Sequence, residues 1–137
     1  MKILICDDEK MVCDFFSQVA TSQGYEDIDI VHSGEDALTQ VIRKNYDLIT
    51  LDIQMPGVSG LEIISMLRSM CPHALIALIS GYIPDEIPEE ITSCADIVLS
   101  KPVGFGAFGQ LLAGVAQICQ TMEQIRNLGI IPAAVRE

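Results

Sequence analysis

The sequence has few basic residues. It holds 8 Lys and Arg against 19 Asp and Glu, which gives a formal net charge of −11 at pH 7. A surface that binds the phosphates of DNA or RNA needs clustered Lys and Arg. We therefore expect this chain to make no direct contact with nucleic acid, so that any such role would belong to a partner or to another domain.

Long hydrophobic runs are also missing. The longest apolar runs span about six residues, whereas a membrane-spanning helix needs roughly 20. The first residues, MKILICDDE, carry acids where a secretory signal peptide would have a small-residue cleavage site. These features predict a cytoplasmic protein that does not enter the membrane.

Cysteine and histidine do not form the patterns of a zinc site or a disulfide framework. The cysteines number 5 and contain no C-x-x-C pair, which predicts reduced thiols that pack as small apolar side chains. His32 and His73 stand alone and far apart, so neither is expected to bind a metal or to act in catalysis. The cysteines are Cys6, Cys13, Cys71, Cys94 and Cys119.

Strand-like and helical segments alternate along the chain in five βα units. The strand-like segments are KILIC, DIDIVH, DLITLDI, ALIALIS and DIVLS. Several of them, such as LIALIS, are apolar at nearly every position, which suits a parallel sheet covered on both faces. Right-handed crossovers then predict an α/β fold, a doubly wound sheet of five parallel strands with five helices. A short fourth helix is expected near residues 89–94, and the last helix from about residue 105 to 127, closed by Gly129 and Pro132.

Polar side chains stand where four of these strands end. Asp7 and Asp8 follow the first strand, Asp52 follows the third, Ser80 ends the fourth and Lys101 follows the fifth. In an open α/β sheet the ligand site lies beyond the carboxyl ends of the strands. We therefore expect these side chains to meet at one edge of the sheet.

The carboxylates of Asp7, Asp8 and Asp52 need positive charge nearby, because two unit charges about 4 Å apart repel by roughly 4 kcal/mol near a protein surface. One arrangement is a metal site, where oxygen ligands without Cys or His favour a hard ion such as Mg²⁺. The alternative is a metal-free cluster neutralised by Lys101 and the N-terminus of the first helix. A carboxylate beside Mg²⁺ can also attack phosphorus. Asp52, which precedes the turn MPG, is the best candidate for that nucleophile.

These residues and their neighbours resemble the receiver domain of two-component response regulators. The resemblance rests on DD at 7–8, LDIQMPGVSG at 51–60, IS at 79–80 and KP at 101–102. It implies a flavodoxin-like fold with strand order 2-1-3-4-5. It also implies that residues 1–122 form the phosphoacceptor domain, with residues 123–137 as the end of the last helix and a tail or linker.

The resemblance further implies a phosphorylation reaction. Asp52 would accept a phosphoryl group from a histidine kinase or a phosphotransfer protein. Lys101 would contact the transferred group and Ser80 would supply the switch hydroxyl. The peptide bond between Lys101 and Pro102 is expected to be cis.

The metal ligands that the resemblance implies are Asp8, Asp52 and the backbone carbonyl of Gln54, with Asp7 acting through water. A Mg²⁺-dependent phosphatase with an aspartyl nucleophile is a different class, which usually has a second acid two residues after the nucleophile. Gln54 cannot serve as that acid. A receiver-like scaffold that is never phosphorylated would be expected to lack one of the reactive side chains, and all are present. We therefore expect a switch that catalyses only its own phosphorylation and dephosphorylation.

Two further expectations concern the output of the switch. The family usually has an aromatic residue three positions before the lysine, but Val98 stands there and is too short and stiff to swing inward. We expect Tyr82, in the loop of residues 81–88, to transmit the change instead. The fourth helix, fifth strand and fifth helix are expected to form a partner or homodimer surface, because not all apolar residues of the last helix can be buried. Those apolar residues are Phe105, Phe108, Leu111, Leu112, Val115 and Ile118.

The segment GFGAFG at residues 104–109 matches the dinucleotide-binding pattern G-x-G-x-x-G. That pattern functions within a βαβ unit, and no further strand is predicted after the helix that this segment opens. We therefore expect a helix start with small residues at a close backbone contact, not a nucleotide site.

Overall fold

A computed structural model of the chain describes residues 1–55, 57, 60–83 and 85–129. Within these residues, strands and helices alternate as the sequence predicts. The strands are β1 (Ile3–Cys6), β2 (Ile28–Val31), β3 (Leu48–Leu51), β4 (Leu75–Ser80) and β5 (Ile97–Ser100). The helices are α1 (Lys10–Ser22), α2 (Gly34–Arg43), α3 (Gly60–Met70), α4 (Glu89–Thr92) and α5 (Phe105–Arg126).

The strands form one parallel sheet in the order β2-β1-β3-β4-β5. This order confirms the flavodoxin-like, doubly wound α/β fold. The two central strands, β1 and β3, are in register, with Cys6 opposite Leu51. Asp7 and Asp52 therefore leave neighbouring strands at the same level of the sheet.

Each face of the sheet has its own hydrophobic core, because alternate residues of a strand point to opposite faces. Leu4 of β1 belongs to the core that α2, α3 and α4 cover. Ile3 and Ile5 belong to the core under α1 and α5. In that second core the rings of Phe16 and Phe108 stack with their centroids 4.2 Å apart. Covering helices on both faces explain why the strands are apolar at almost every position.

The cysteines are free thiols, as expected. Cys6, Cys13 and Cys71 are buried, and Cys94 and Cys119 are partly buried. Burial is the main reason that the pKa of Cys13 is raised to about 11. At neutral pH this thiol is protonated and behaves as a small apolar group.

Helix α5 begins at Phe105 and ends at Arg126, one residue earlier than expected. Its apolar residues do not all reach the core. Phe108 and Val115 are buried, whereas Phe105 is 59% exposed and Ile118 is 53% exposed. The domain boundary after residue 122 falls inside this helix and stays a prediction, and Pro132 lies outside the described residues.

Helix α4 is shorter than predicted: it ends at Thr92 and not near Cys94. The last residues of that segment turn back towards the sheet, since Arg68 of α3 donates a hydrogen bond to the Cys94 carbonyl at 2.8 Å and pairs with Asp96 at 2.6 Å. These contacts with α3 end the short helix and lead the chain into β5.

The segment GFGAFG is a loop and the first turn of α5, because Gly104 directly precedes the helix. No strand follows α5 in the described part of the chain, so the βαβ unit in which this pattern functions is not formed there. The expected close backbone contact is not found at Gly109. A Cβ there would lie 2.6 Å from the side-chain nitrogen of Gln23, so this glycine leaves room for a side chain at the end of α1. A Cβ at Gly106 would meet nothing within 4 Å, so close packing does not explain that residue.

Candidate functional site

The carboxyl ends of β1 and β3 bring an acidic cluster together. Oxygen atoms of Asp7, Asp8, Glu9 and Asp52 all lie within 4.8 Å of one another. Asp7 and Asp52 are buried, whereas Asp8 and Glu9 are exposed. The arrangement matches the predicted edge of the sheet and adds Glu9, which the sequence argument did not include.

Each polar atom of Asp7 has a hydrogen-bond or ion-pair partner. Its backbone N–H donates to the Val31 carbonyl at 3.2 Å. Its Oδ1 accepts the Glu9 N–H at 2.8 Å, and its Oδ2 lies 2.8 Å from the Lys101 ammonium. The carboxylate therefore has a single orientation in this structure, with one oxygen turned towards the loop and the other towards β5.

Lys101 reaches the cluster from the end of β5. Its peptide bond to Pro102 is cis, as predicted. Its Nζ lies 2.8 Å from Asp7, 3.1 Å from Glu9 and 3.2 Å from Asp52. Burial lowers the pKa of Lys101, but its hydrogen bonds to the three carboxylates outweigh burial, so the pKa is raised above its ordinary value. The ammonium is therefore charged at any physiological pH.

Asp52 is buried at the end of β3, with the Lys101 ammonium 3.2 Å from its Oδ2 and Asp7 beside it. Its N–H donates to the Cys6 carbonyl at 3.0 Å, and its Oδ1 accepts the Gln54 N–H at 3.0 Å. Burial raises the pKa of this carboxyl above its ordinary value, and the charge of Asp7 adds to the rise. The Gln54 N–H and the Lys101 ammonium lower the pKa of Asp52, but by less than burial and Asp7 raise it. The ionised form of Asp52 is therefore less stable than that of a carboxylate in water, and a further cation nearby would stabilise it.

Asp8 and Glu9 complete the cluster from the loop between β1 and α1. Glu9 forms an ion pair with the same Lys101 ammonium that contacts Asp7 and Asp52. In the sequence, the feature that could have indicated this role is its place in the run DDE. Among the described residues, the Asp8 side chain has neither a hydrogen bond nor an ion pair with the protein. Its exposed carboxylate is therefore available to a ligand in solution.

The donor set of this cluster fits a hard divalent cation. All ligand atoms are carboxylate oxygens, no Cys or His side chain belongs to the group, and Asp8 has a free carboxylate facing it. Mg²⁺ and Ca²⁺ prefer such oxygen ligands. Lys101 already neutralises part of the charge, so the metal-free alternative from the sequence argument also describes a stable arrangement.

The Asp7 carbonyl has two further donors that the sequence argument missed. The Nδ1 atom of His32 lies 3.0 Å from this oxygen, and the Cys13 thiol donates to it at 3.3 Å. A carbonyl oxygen only accepts, so the hydrogen on the imidazole must be on Nδ1. His32 directly follows β2, the strand beside β1, and that adjacency is the signal which could have revealed it. His73 is exposed before β4 and takes no part in the cluster.

The remaining predicted residues lie around the cluster. Ser80 is fully buried at the end of β4, and its Oγ accepts the Tyr82 N–H at 3.3 Å. Tyr82 itself is 65% exposed. Val98 pairs with Leu78 and is partly buried against the core under α2 to α4. The hydroxyl of Ser80 is thus bonded to the loop that follows β4. Strand β4 lies beside β3, at the end of which Asp52 stands.

The fold and the acidic edge together define an α/β domain with buried carboxylates inside a cluster that could hold a cation. Residues 3–113 match the family described as response regulator receiver domain. The chain belongs to this family. The match ends within the first half of α5.

Curated relatives agree with this assignment. The chain is 35% identical over 121 residues to the transcriptional regulatory protein HprR of Escherichia coli (strain K12), covering 88% of this chain and 52% of HprR. It is 41% identical over 100 residues to the transcriptional regulatory protein YvrH of Bacillus subtilis (strain 168), covering 73% of this chain and 42% of YvrH. The chain thus spans about half the length of these relatives.

Solved structures show the same architecture. The response regulator protein TrrA of Thermotoga maritima, in complex with Mg²⁺ and BeF, superposes with a TM-score of 0.75 at 34% identity, covering 84% of this chain and 99% of TrrA. The receiver domain of a LuxO repressor protein of Vibrio parahaemolyticus superposes with a TM-score of 0.80 at 18% identity. The second likeness concerns the fold alone.

Across the described residues, no helix combines the length and the apolar character that crossing a bilayer would require.

Proposed function

We propose that this domain is a phosphorylation-controlled switch in which Asp52 accepts a phosphoryl group from a histidine kinase or a phosphotransfer protein. The observation that carries the proposal is the position of Asp52: a buried carboxylate at the end of a central strand, 3.2 Å from the Lys101 ammonium and beside Asp7, Asp8 and Glu9. A carboxylate in this setting is a nucleophile towards phosphorus.

The transfer itself needs little chemistry from the protein. An oxygen of Asp52 attacks the phosphorus of the donor phosphohistidine, a P–O bond forms, and the P–N bond breaks. The imidazole nitrogen keeps the electron pair and takes up a proton. Lys101 stabilises the negative charge on the phosphoryl oxygens in the transition state, because its ammonium is already aimed at the same carboxylate.

Asp7, Asp8, Asp52 and the Gln54 carbonyl would hold Mg²⁺. When bound, this ion supplies positive charge and orientation for the phosphoryl oxygens. The residues of the chain prepare the same site without it: Lys101 and the Glu9 N–H keep Asp7 oriented. The Gln54 N–H does the same for Asp52 at 3.0 Å.

The switch would respond through Ser80. Its buried hydroxyl turns from the Tyr82 N–H towards the phosphoryl group on Asp52, and the loop after β4 follows. The resulting change would reach the surface of α4, β5 and α5, which is our proposed contact for a partner or a second copy. Exposed apolar side chains such as Ile97 of β5 and Ile118 of α5 support that surface.

The chain acts as a regulator in this proposal and catalyses only its own phosphorylation and dephosphorylation. Its net charge of −11 supports a domain that does not touch nucleic acid itself. The relatives HprR and YvrH are named as transcriptional regulatory proteins, so DNA binding in such a protein would belong to a part that this chain does not match. We place the domain in the cytoplasm, where the kinase's phosphohistidine would be.

Intact-mass measurement tests the proposal directly. The protein is incubated with acetyl phosphate and Mg²⁺, and we expect a gain of one phosphoryl group that requires the metal and disappears in Asp52→Asn. Asp14→Asn, a change of the same kind on the exposed side of α1, is the matched control and should be phosphorylated like the parent protein. A phosphoryl adduct that persists in Asp52→Asn would refute the assignment.

A further inference from the structure

A groove opens on the surface between α3 and the segment around α4. Its volume is about 780 Å³, within the range of binding clefts, which is roughly 300–1,000 Å³. Among the described residues, no side chain of β5 or α5 lines it, so it differs from the surface proposed above. The lining of this α3–α4 groove includes Glu62, Ser65 and Met66 on one side and Glu90, Ser93 and Cys94 on the other.

The groove is open because α4 is a single turn. Helix α4 ends at Thr92, and the chain then turns back towards α3, where Arg68 donates a hydrogen bond to the Cys94 carbonyl at 2.8 Å. Of the four residues of α4, Ile91 alone is buried. A helix this short covers little of the neighbouring face of α3, so side chains on that face stay in contact with solvent.

The α3 side of the groove presents methionine. Met66 is 48% exposed, and Met70, one turn further along the same face, is 42% exposed. Methionine is flexible and polarisable, so exposed methionines suit a surface that adapts to the apolar side chains of a partner. Two of them on successive turns beside a groove therefore indicate an apolar docking site.

The α4 side of the groove is acidic. Residues 82–96 contain five acids and no Lys, Arg or His. Helix α3 adds Glu62 at the groove, and its one base, Arg68, is paired with Asp96 at 2.6 Å. The rim of the groove therefore attracts positive charge on a partner. The five acids are Asp85, Glu86, Glu89, Glu90 and Asp96.

Charge and shape together select the occupant of the groove. A second copy of this chain, with its net charge of −11, is repelled by an acidic rim. The surface of α5 differs, since Glu123 and Arg126 are the only charged residues between positions 105 and 129. The α3–α4 groove and the surface that includes α5 therefore fit chemically different partners.

We propose that the α3–α4 groove binds a basic amphipathic helix of a partner protein. An apolar side chain of that helix packs against Met66, and its Lys or Arg side chains lie beside Glu62 and Glu90. Recognition of a helix in a groove uses apolar anchors three or four residues apart, which matches the spacing of Met66 and Met70 along α3. The inference goes beyond the proposed function and does not depend on whether Asp52 is phosphorylated.

A synthetic helix tests the groove on the full chain. The probe is a fluorescein-labelled peptide of about 15 residues with leucines on one face and lysines on the other, a length at which an isolated helix can form. Fluorescence anisotropy should give a Kd of about 10–100 µM at low salt, and added salt should weaken binding by screening the charges. Met66→Ala and Glu90→Lys should each weaken binding at least about fivefold.

Met11→Ala and Glu26→Lys are the matched controls. Met11 is 85% exposed on α1, and Glu26 is exposed before β2, so these variants repeat each change away from the groove. Both should bind the probe like the parent protein. Equal weakening by Glu26→Lys would assign binding to net charge, and equal weakening by Met11→Ala would place the helix on α1. Either result overturns the proposal.

Two thiols give a second measurement. Cys94 lines the groove and Cys119 lies on α5, and both are partly buried. At about ten times its Kd, the probe should slow alkylation of Cys94 by iodoacetamide about tenfold and leave that of Cys119 unchanged. Each thiol is compared with itself, so differences in intrinsic reactivity do not matter. Protection of Cys119 in place of Cys94, or no binding of the probe up to about 1 mM, overturns the groove as the site of such a helix.

Discussion

The ammonium nitrogen of Lys101 lies 2.8 Å from Oδ2 of Asp7, and both side chains are shielded from water. The pair joins the end of β5 to the end of β1 across the two strands that lie between them. Its consequence is that the acidic cluster is partly neutralised before any ligand arrives. A phosphoryl group or a cation entering the site therefore competes with or rearranges this pair.

Replacing Lys101 by Met should lower the free energy of unfolding by about 3 kcal/mol in metal-free buffer, because it leaves buried carboxylates without a counter-charge. Mg²⁺ should recover part of that loss, since it would neutralise the same carboxylates. Urea unfolding with EDTA and with Mg²⁺ measures both values. Lys10→Met, at the exposed start of α1, is the control and should change stability by less than about 0.5 kcal/mol. Equal stability of Lys101→Met and the parent protein without metal would contradict the ion-pair argument.

Asp52→Asn should have the opposite effect on metal-free stability. The pKa of Asp52 is raised in the folded protein, so the folded state binds more protons than the unfolded state between the ordinary and the raised pKa. Stability contributed by this group is present at low pH and is lost as pH rises through the folded pKa. At neutral pH the ionised form costs stability, and Asp52→Asn should raise the free energy of unfolding by roughly 1 kcal/mol.

The check on this prediction is a comparison across pH. The stability difference between Asp52→Asn and the parent protein should grow as pH rises from about 3 to 7. Asp14→Asn, on the exposed side of α1, should show no such trend. A loss of stability in Asp52→Asn at pH 7 without metal would mean that the Lys101 contact outweighs burial.

Asp29 on β2 shows the reverse case. Its carboxylate accepts a hydrogen bond from the Tyr46 hydroxyl at 2.6 Å and from Lys44 at 3.0 Å. The Tyr46 hydrogen bond is the main reason that the pKa of Asp29 is lowered. Its contribution to stability is therefore present at neutral pH and lost as pH falls through the folded pKa. Tyr46→Phe should destabilise the protein by about 1–2 kcal/mol at pH 7.

Thermal unfolding at several pH values checks this prediction. The difference between Tyr46→Phe and the parent protein should shrink once the pH falls below the lowered pKa of Asp29. Tyr25→Phe is the control, because Tyr25 is also partly buried but gives no hydrogen bond to a carboxylate among the described residues. If the stability of Tyr46→Phe depended on pH in the same way as that of the parent protein, the Tyr46 hydroxyl would not be what lowers the pKa of Asp29.

His32 should position the metal loop. Its N–H on the Asp7 carbonyl holds the peptide group that leads to Asp8, and partners one step behind the ligands commonly change metal affinity by about 10- to 100-fold when removed. We expect His32→Ala to weaken Mg²⁺ binding about tenfold in isothermal titration calorimetry, and His32→Asn, which keeps an N–H donor, to recover part of it. His73→Ala is the control on an exposed loop. Equal Mg²⁺ affinity in His32→Ala would assign the histidine to packing alone.

Much of the fold follows from local sequence patterns. Apolar strands with helical segments between them leave few choices once connections must be right-handed, and the acids at 7, 8 and 52 then have to meet. The predicted end of α4 was wrong by two residues because Arg68, which lies 26 residues before Cys94, binds the Cys94 carbonyl and holds that segment against α3. A contact between distant segments of this kind leaves no local pattern.

The site was predicted less completely than the fold. Strand ends identify Asp7, Asp52 and Lys101, since their backbone positions set the site. The contributions of Glu9 and His32 depend on side-chain reach, because each extends from a loop to a partner on another strand. Strand order and loop geometry had to be known before either contact could be inferred. The roles of Ser80, Gln54 and Val98 stay predictions.

The transmission of the switch can be followed from Ser80 outward. Its Oγ accepts the Tyr82 N–H at 3.3 Å, and this hydrogen bond ties the start of the loop after β4 to the strand. If the hydroxyl turns towards a phosphoryl group on Asp52, the Tyr82 N–H loses its acceptor and the exposed Tyr82 is free to move with its loop. Val98 has stiff χ1 geometry and packs against the core, so its rotamer should not change.

Two measurements decide whether Tyr82 or Val98 carries the change. We expect beryllofluoride with Mg²⁺ to increase amide hydrogen exchange at Tyr82 and to leave the Val98 methyl signals unchanged. Ser80→Ala removes the acceptor in advance, so Tyr82 should already exchange faster and beryllofluoride should add little. Pro84, within the predicted 81–88 loop, lies outside the described residues, so the experiment relies on Tyr82 and the residues beside it. A shifted Val98 rotamer with an unchanged Tyr82 amide would place the switch in β5, because only movement of that strand would then connect Asp52 to the α4, β5 and α5 surface.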